Sequence, residues 1–202
     1  VFALYIQQYL QWKNKEIWLN GQAYLQSEET SALAIAVAAY KKTTVSYPKF
    51  FKMDMLSKVA FVAASIVLPE PITANSNHVA VVISSKSGCL EVDKKFDESR
   101  ADIASPALFV YTLPNIMLGE ICIAKGFKGE QMCTLSPEPD AAWLAFYVND
   151  LLQNRGTEAV LCGHAEATEH GIEAVLVWVN KEPSALPFHQ QNLKTIFSKI
   201  QS

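Results

Sequence analysis

Residues Ser105 to Gly129 read SPALFVYTLPNIMLGEICIAKGFKG, and the punctuation of this stretch organises the chain around it. Pro114 stands where a helix starts, because the first helical position has no use for the N–H that proline lacks. The helix runs from there to Gly126, where glycine supplies the left-handed stop. Met132 to Leu135 follows as a short strand. Asp140 to Gln153 is then a helix ended by Gly156. In it Ala141, Leu144, Ala145, Val148, Leu151 and Leu152 form one apolar face, and Trp143, Phe146 and Tyr147 make a second side apolar. A helix apolar around most of its circumference packs between layers, so this segment is expected to be a central helix sandwiched by sheets.

The same reading extends in both directions. Ala159 to Cys162 and Ala174 to Val179 are strands, and Leu193 to Ile200 is a final short helix. Upstream, His78 to Ser84 (HVAVVIS) is β-rich with no helical stripe and reads as a buried strand. Asp54 is placed to cap a helix whose Met55, Val59, Val62 and Ile66 recur at helical spacing, ending before Pro69 and Pro71. Glu91 to Ser99 reads as a short polar helix. Ala3 to Trp12 reads as a strand with a polar turn around Asn14, Ser27 to Thr43 is ambiguous in period, and Tyr47-Pro48-Lys49 is a breaker. Helices alternating with buried-type strands indicate α/β layering, with no repeat, low-complexity tract or linker.

The chain has 202 residues, half of them hydrophobic and 18% charged, with a formal net charge of -3. That composition describes a globular chain of one-domain size, residues 1–202. It lacks the clustered basic face of a nucleic-acid binder. No apolar stretch reaches the roughly 20 residues of a membrane span; the best candidates are interrupted by Lys58 and Glu120. Cys89, Cys122, Cys133 and Cys162 are widely spaced and have no zinc-ligand pattern. Their apolar contexts predict buried free thiols in a reducing compartment, so the cytoplasm is the expected location. The chain begins at Val1, so a leader, tag or few residues are expected to have been removed; no signal peptide is legible in what remains.

Ser105, Pro106, Thr112, Pro114, Asn115, Gly119, Gly126 and Gly129 fall at the spacing of a ketosynthase stretch, Ser-Pro through a Thr-x-Pro-Asn turn into a helix closed by Gly-x-x-Gly. Gly163-His164-Ala165-Glu166-Ala167 resembles the small-residue turn after that family's next core strand. Ser84 to Leu90 (SSKSGCL) resembles its earlier Gly/Ser loop, and Tyr47 to Lys58 the start of its first long helix. From about Tyr47 to Ala167 the chain therefore resembles the N-terminal half of a β-ketoacyl (acyl-carrier-protein) synthase. The resemblance implies a thiolase-like α/β layered fold, N-terminal half only, with a mixed sheet and a buried central helix.

Members of that family carry a nucleophilic cysteine at a strand-to-helix elbow, where the helix N-terminus favours the thiolate. Counting from Gly129 puts the elbow at Glu138, and counting back from Gly156 puts it at Pro139. The local sequence Ser136-Pro137-Glu138-Pro139-Asp140 holds no cysteine. Pro137 and Pro139 also remove backbone donors that an oxyanion site uses. The histidines that activate malonyl decarboxylation belong to the family's C-terminal half, which is not reached here; His164, His170 and His189 do not sit in those contexts. The resemblance thus implies a subunit without condensing activity of its own, akin to chain-length factors. It is expected to pair with an active ketosynthase or with itself as a dimer, and to shape an acyl channel served indirectly by an acyl carrier protein. Short versions resemble proteins of pigment-type (aryl-polyene or flexirubin-like) systems. No cofactor or metal is expected.

The alternative is a decarboxylase or thioesterase-like enzyme acting on acyl or malonyl thioesters through Glu138. Against it, an acidic residue at a helix N-terminus serves the helix electrostatically without any chemistry. Cys133 falls inside a predicted strand and reads as packing; Cys89 and Cys162 read as structural. His164 and His170 with Glu166 and Glu169 lack a zinc pattern and read as a solvated turn. Phe109, Tyr111 and Met117 are candidates for a substrate channel or a subunit interface, with core packing the competing reading.

Overall fold

The computed structural model describes residues 2–101, 103–168 and 171–201. In chain order, β1 (Tyr5–Lys13), β2 (Glu16–Leu19) and β3 (Gln22–Gln26) form a meander, followed by α1 (Ala32–Lys42). A 3-10 turn at Pro48–Lys52 leads into α2 (Met55–Val67). Next come β4 (Val79–Ser85), α3 (Leu90–Ser99), α4 (Pro106–Val110), α5 (Ile116–Lys125), β5 (Gln131–Leu135) and α6 (Ala141–Asn154). The chain closes with β6 (Ala159–Thr168), β7 (Gly171–Asn180), β8 (Leu186–Pro187) and α7 (Gln190–Gln201).

The strands form one mixed sheet in the order β3-β2-β1-β7-β6-β4-β5, with β8 against β1. β4 runs parallel to both β5 and β6, and the other pairings are antiparallel. Helices cover both faces, so the central strands are apolar on both sides. On β7, Ala174, Leu176 and Trp178 face the layer of α1, α2 and α5, whereas Val175, Val177 and Val179 face α6 and α7. The close β6–β7 pairing depends on Gly163 (φ 151°), where a Cβ would stand 1.9 Å from the Val175 carbonyl oxygen.

A buried central helix is present, and it is α2 rather than the helix after Asp140. Asp54 caps α2 by accepting from the Leu56 and Ser57 N–H groups, and every residue from Leu56 to Val67 is buried. The apolar circumference of α6 is covered on one face only. Leu144, Val148 and Leu151 pack on the sheet and α7, while Phe146 is 72% exposed. The reason is one of layers: no described element lies beyond α6 on that side.

Ser27–Thr43 resolves into an extended segment and α1, capped by Ser31 Oγ accepting from the Ala34 N–H. The β2–β3 hairpin was not anticipated, although Asn20-Gly21, with φ of 52° and 79°, is a two-residue turn signal. α4 was also not anticipated, and the helix expected from Pro114 begins at Ile116. Gly126 closes that helix in the left-handed conformation (φ 72°), as expected.

Candidate functional site

Because β4, β5 and β6 run in the same direction, the turn after β4, the turn after β5 and the second half of β6 meet at one end of the sheet. Open α/β sheets hold their ligands at that end. Ser84 on β4 stands in register with His164 on β6. Its Oγ lies 2.8 Å from His164 Nδ1 and 3.3 Å from the Gly163 carbonyl oxygen. Both side chains are buried, and burial pushes the His164 imidazole down to about 4, leaving it neutral at pH 7. Glu166 anchors the neighbouring turn: its Oε2 accepts from Ser85 Oγ (2.8 Å), the Lys86 N–H (2.8 Å) and the Ser87 N–H (3.1 Å). Burial acts to raise the Glu166 pKa, but hydrogen bonds from Ser87, Ser85 and Lys86 outweigh it and hold the carboxyl below its usual range. The reading of His164 and Glu166 as a solvated turn is therefore corrected. Both lie on β6, whose alternation of small and polar residues continues to Thr168. Glu169 and His170 lie outside the described residues.

Ser84 lines a cavity of about 280 Å³ together with Thr134, Leu135, Ser136, Asp140, Trp143 and Leu144. A serine beside a histidine has the form of a nucleophile and base. An imidazole with a pKa near 4 is a weak base at pH 7, and Ser84 is only 4% exposed. The pair is suited to holding the register of β4 and β6 beneath the cavity.

The turn from β5 into α6 is the elbow. Asp140 Oδ1 caps α6 by accepting from the Ala142 and Trp143 N–H groups at 3.0 and 2.9 Å. Ser136 Oγ donates to the Glu138 carbonyl oxygen at 2.6 Å. Glu138 is exposed, and with Pro139 it lines a groove shared with Gln190, Lys194 and Phe197 of α7 rather than the cavity beside Ser84. Cys133 is half-buried on β5, and burial pushes its thiol up to about 11. Cys89 rises to about 11 through burial and the nearby Asp93, and Cys122 to about 11 through burial alone. Among the described residues no cluster of His, Cys, Asp and Glu is placed to hold a metal ion, and no helix is long and apolar enough to cross a membrane.

The channel or interface candidates go three ways. Met117 is 1% exposed within the core. Phe109 stands at the surface against Phe96, ring centroids 5.5 Å apart. Tyr111 Oη donates to Glu120 Oε1 at 3.1 Å. Glu120, 2% exposed, also accepts from Tyr47 Oη (3.2 Å) and Lys49 Nζ (2.8 Å). Burial and then the Glu120 charge push the phenols of Tyr111 and Tyr47 upward. The signal for this cluster in the sequence is a glutamate inside the apolar helix IMLGEICIAK, which marks a buried, hydrogen-bonded carboxylate.

On the far edge of the sheet, β5 has no described strand on its outer side. The Val81 N–H donates to the Glu130 carbonyl and the Ser136 N–H to the Ser85 carbonyl. By alternation along the strand, Gln131, Cys133 and Leu135 direct their N–H groups outward. Leu135 on this strand is exposed, as are Leu90 and Leu113 in the segments that carry Gly88 and Pro114. Leu135 and Pro114 meet at Gly88, where a Cβ would stand 3.2 Å from Leu135 Cδ2 and 3.6 Å from Pro114 Cβ.

Sheet order, mixed strand direction and helices on both faces define a thiolase-like layered fold of the ketosynthase type. Among solved structures, the chain is similar to the ishigamide ketosynthase/chain length factor, with TM-score 0.63 and 16% identity over 92% of this chain and 64% of that one. It is similar to a chain of the ketosynthase ApeO in complex with its chain length factor ApeC from Xenorhabdus doucetiae, with TM-score 0.63 and 14% identity over 100% of this chain and 93% of that one. A β-ketoacyl synthase from Burkholderia phymatum matches with TM-score 0.58 and 13% identity over 90% of this chain and 60% of that one. The chain thus spans less than two-thirds of the ishigamide and Burkholderia chains and nearly all of the Xenorhabdus chain. At these identities the likeness is one of fold. No protein-family model and no curated protein sequence matches the chain.

Proposed function

We propose that this chain is a non-catalytic, ketosynthase-like subunit that pairs with an active β-ketoacyl synthase and shapes its acyl channel. The observation that carries the reading is the open edge of β5, with outward N–H groups at Gln131, Cys133 and Leu135 and the exposed Leu135 side chain. Such an edge is a template for strand addition by a second chain. The elbow Ser136–Asp140 without cysteine supports a non-catalytic role, as does burial of the thiols of Cys89, Cys122 and Cys162. Two similar structures are themselves described as ketosynthase with chain length factor, which favours an active ketosynthase over a second copy of this chain. In this reading residues 1–202 act as one unit in the cytoplasm, within a fatty-acid or polyketide system such as an aryl-polyene or flexirubin-type pathway. An acyl carrier protein meets the pair through the ketosynthase. Phe109 is the channel or interface candidate with an exposed side chain.

The test is co-expression with the ketosynthase of the same gene neighbourhood and measurement of mass in solution. A one-to-one complex is expected. Gln131→Pro with Leu135→Lys, which blocks the edge without touching the β4 pairing, should abolish it while the chain stays folded. Absence of a complex, or one indifferent to the double substitution, sinks the proposal. The Glu138 alternative is favoured by no comparable observation, since that side chain is exposed on the elbow. Malonyl-carrier turnover unchanged by Glu138→Ala removes it.

A further inference from the structure

On the α2 face of the sheet a cleft of about 530 Å³ opens between the N-terminus of α2, α1, α3 and α4. Its size falls within the roughly 300–1,000 Å³ of small-molecule pockets. Leu33, Met53, Met55, Leu56, Val92 and Leu108 give it an apolar wall. Lys58, also on the wall, is only 6% exposed. Its ammonium donates to the Met53 carbonyl oxygen and lies 5.9 Å from the Phe50 ring centroid. Among the described residues it has no ion-pair partner.

The lining carboxylates are engaged elsewhere. Asp54 accepts from the Leu56 and Ser57 N–H groups at 3.1 and 3.3 Å as the cap of α2, and Glu91 faces Lys94 at 3.9 Å. Lys52 and Lys95 add exposed positive charge to the lining. A buried ammonium with one neutral acceptor is costly unless an anion joins it. Burial accordingly lowers the Lys58 pKa, partly opposed by Asp54.

We propose that this cleft binds a single-chain amphiphile with a carboxylate head, a medium-chain fatty acid, its head on Lys58 and its tail along Leu56, Val92 and Leu108. An apolar wall with one buried cation that has no ion-pair partner among the described residues matches that ligand class in charge and polarity. The site is contained in one copy of the chain and stands independently of the partner reading.

The test is calorimetric titration of the full chain with dodecanoate and with dodecan-1-ol, each below its aggregation threshold. Dodecanoate should bind saturably at one site. Dodecan-1-ol should bind about ten- to a hundredfold more weakly, the range for losing a charged hydrogen bond. Lys58→Met should weaken dodecanoate by a similar factor and leave dodecan-1-ol unchanged. Leu108→Trp, which fills the cleft without altering charge, should weaken both and keeps the test decisive if Lys58→Met fails to fold. No saturable binding, equal affinity for acid and alcohol, or a Lys58→Met variant with undiminished dodecanoate affinity overturns the proposal.

Discussion

Replacing Tyr111 with phenylalanine keeps the ring and removes one hydroxyl, so it isolates what that residue does. The hydroxyl donates to Oε1 of Glu120, which is 2% exposed and has Tyr47 and Lys49 as its other partners. A hydrogen bond to a charged group contributes about 1.5–3 kcal/mol, and a buried carboxylate that loses one gains no water in exchange. A loss of about 2 kcal/mol is expected for Tyr111→Phe, a fall in Tm of about 4–8 °C for a chain of this size. Thermal and urea unfolding followed by circular dichroism read it directly. In a Glu120→Gln background the same substitution should cost about 0.5–1.5 kcal/mol, the range for a neutral pair. Tyr47→Phe should couple to Tyr111→Phe, because both hydroxyls serve one carboxylate. A Tyr111→Phe variant within about 1 °C of the parent Tm would refute the reasoning and return Tyr111 to the role of a channel or interface side chain.

The buried His164 has its pKa lowered from 6.5 to about 4, so its contribution is intact above pH 6.5 and lost as pH falls toward and through 4. The loss is about 2 kcal/mol at pH 5, and urea titrations at pH 7.5 and 5 should show it in the parent and not in His164→Asn. Burial raises the thiols of Cys89, Cys122 and Cys133 to about 11 and that of Cys162 higher still. None should react with Ellman's reagent within minutes at pH 7.5 until the chain is denatured; one fast thiol would reopen the question of a nucleophile. Gly163→Ala drives a Cβ to 1.9 Å from the Val175 carbonyl oxygen and should leave little folded protein in the soluble fraction, whereas Gly119→Ala, with nothing within 4 Å, should be tolerated.

Local signals carried much of the architecture. Asp54, Asp140 and Gly126 act as the cap and stop residues that their positions announce, because capping depends on a few neighbouring backbone groups. The unbroken apolar run HVAVVIS marked β4 as a strand covered on both faces. The strand at residues 159–168 reads locally as ending at Cys162, since His164 and Glu166 look like surface residues until their partners Ser84, Ser85 and the turn amides are in view. Those partners lie about eighty residues away in the chain, and no local pattern encodes them. The elbow between β5 and α6 was legible; that Glu138 faces the α7 groove rather than the Ser84 cavity was not.

By itself the sequence determined that the chain is a layered α/β protein, that its turn after β5 lacks cysteine, and that Ser105 to Gly129 runs from a Ser-Pro turn into a glycine-stopped helix. These follow from residue type, period and spacing. Tertiary structure alone decided which apolar helix is enclosed. α2 and the helix at 141–154 are both apolar enough to be central, and burial depends on whether a layer lies beyond them, which composition does not record. It alone gathered Tyr47, Lys49 and Tyr111 around Glu120, and left Lys58 buried at a cleft whose carboxylates, Asp54 and Glu91, form no ion pair with it. Charge compensation inside a fold is a matter of distance in space rather than distance along the chain.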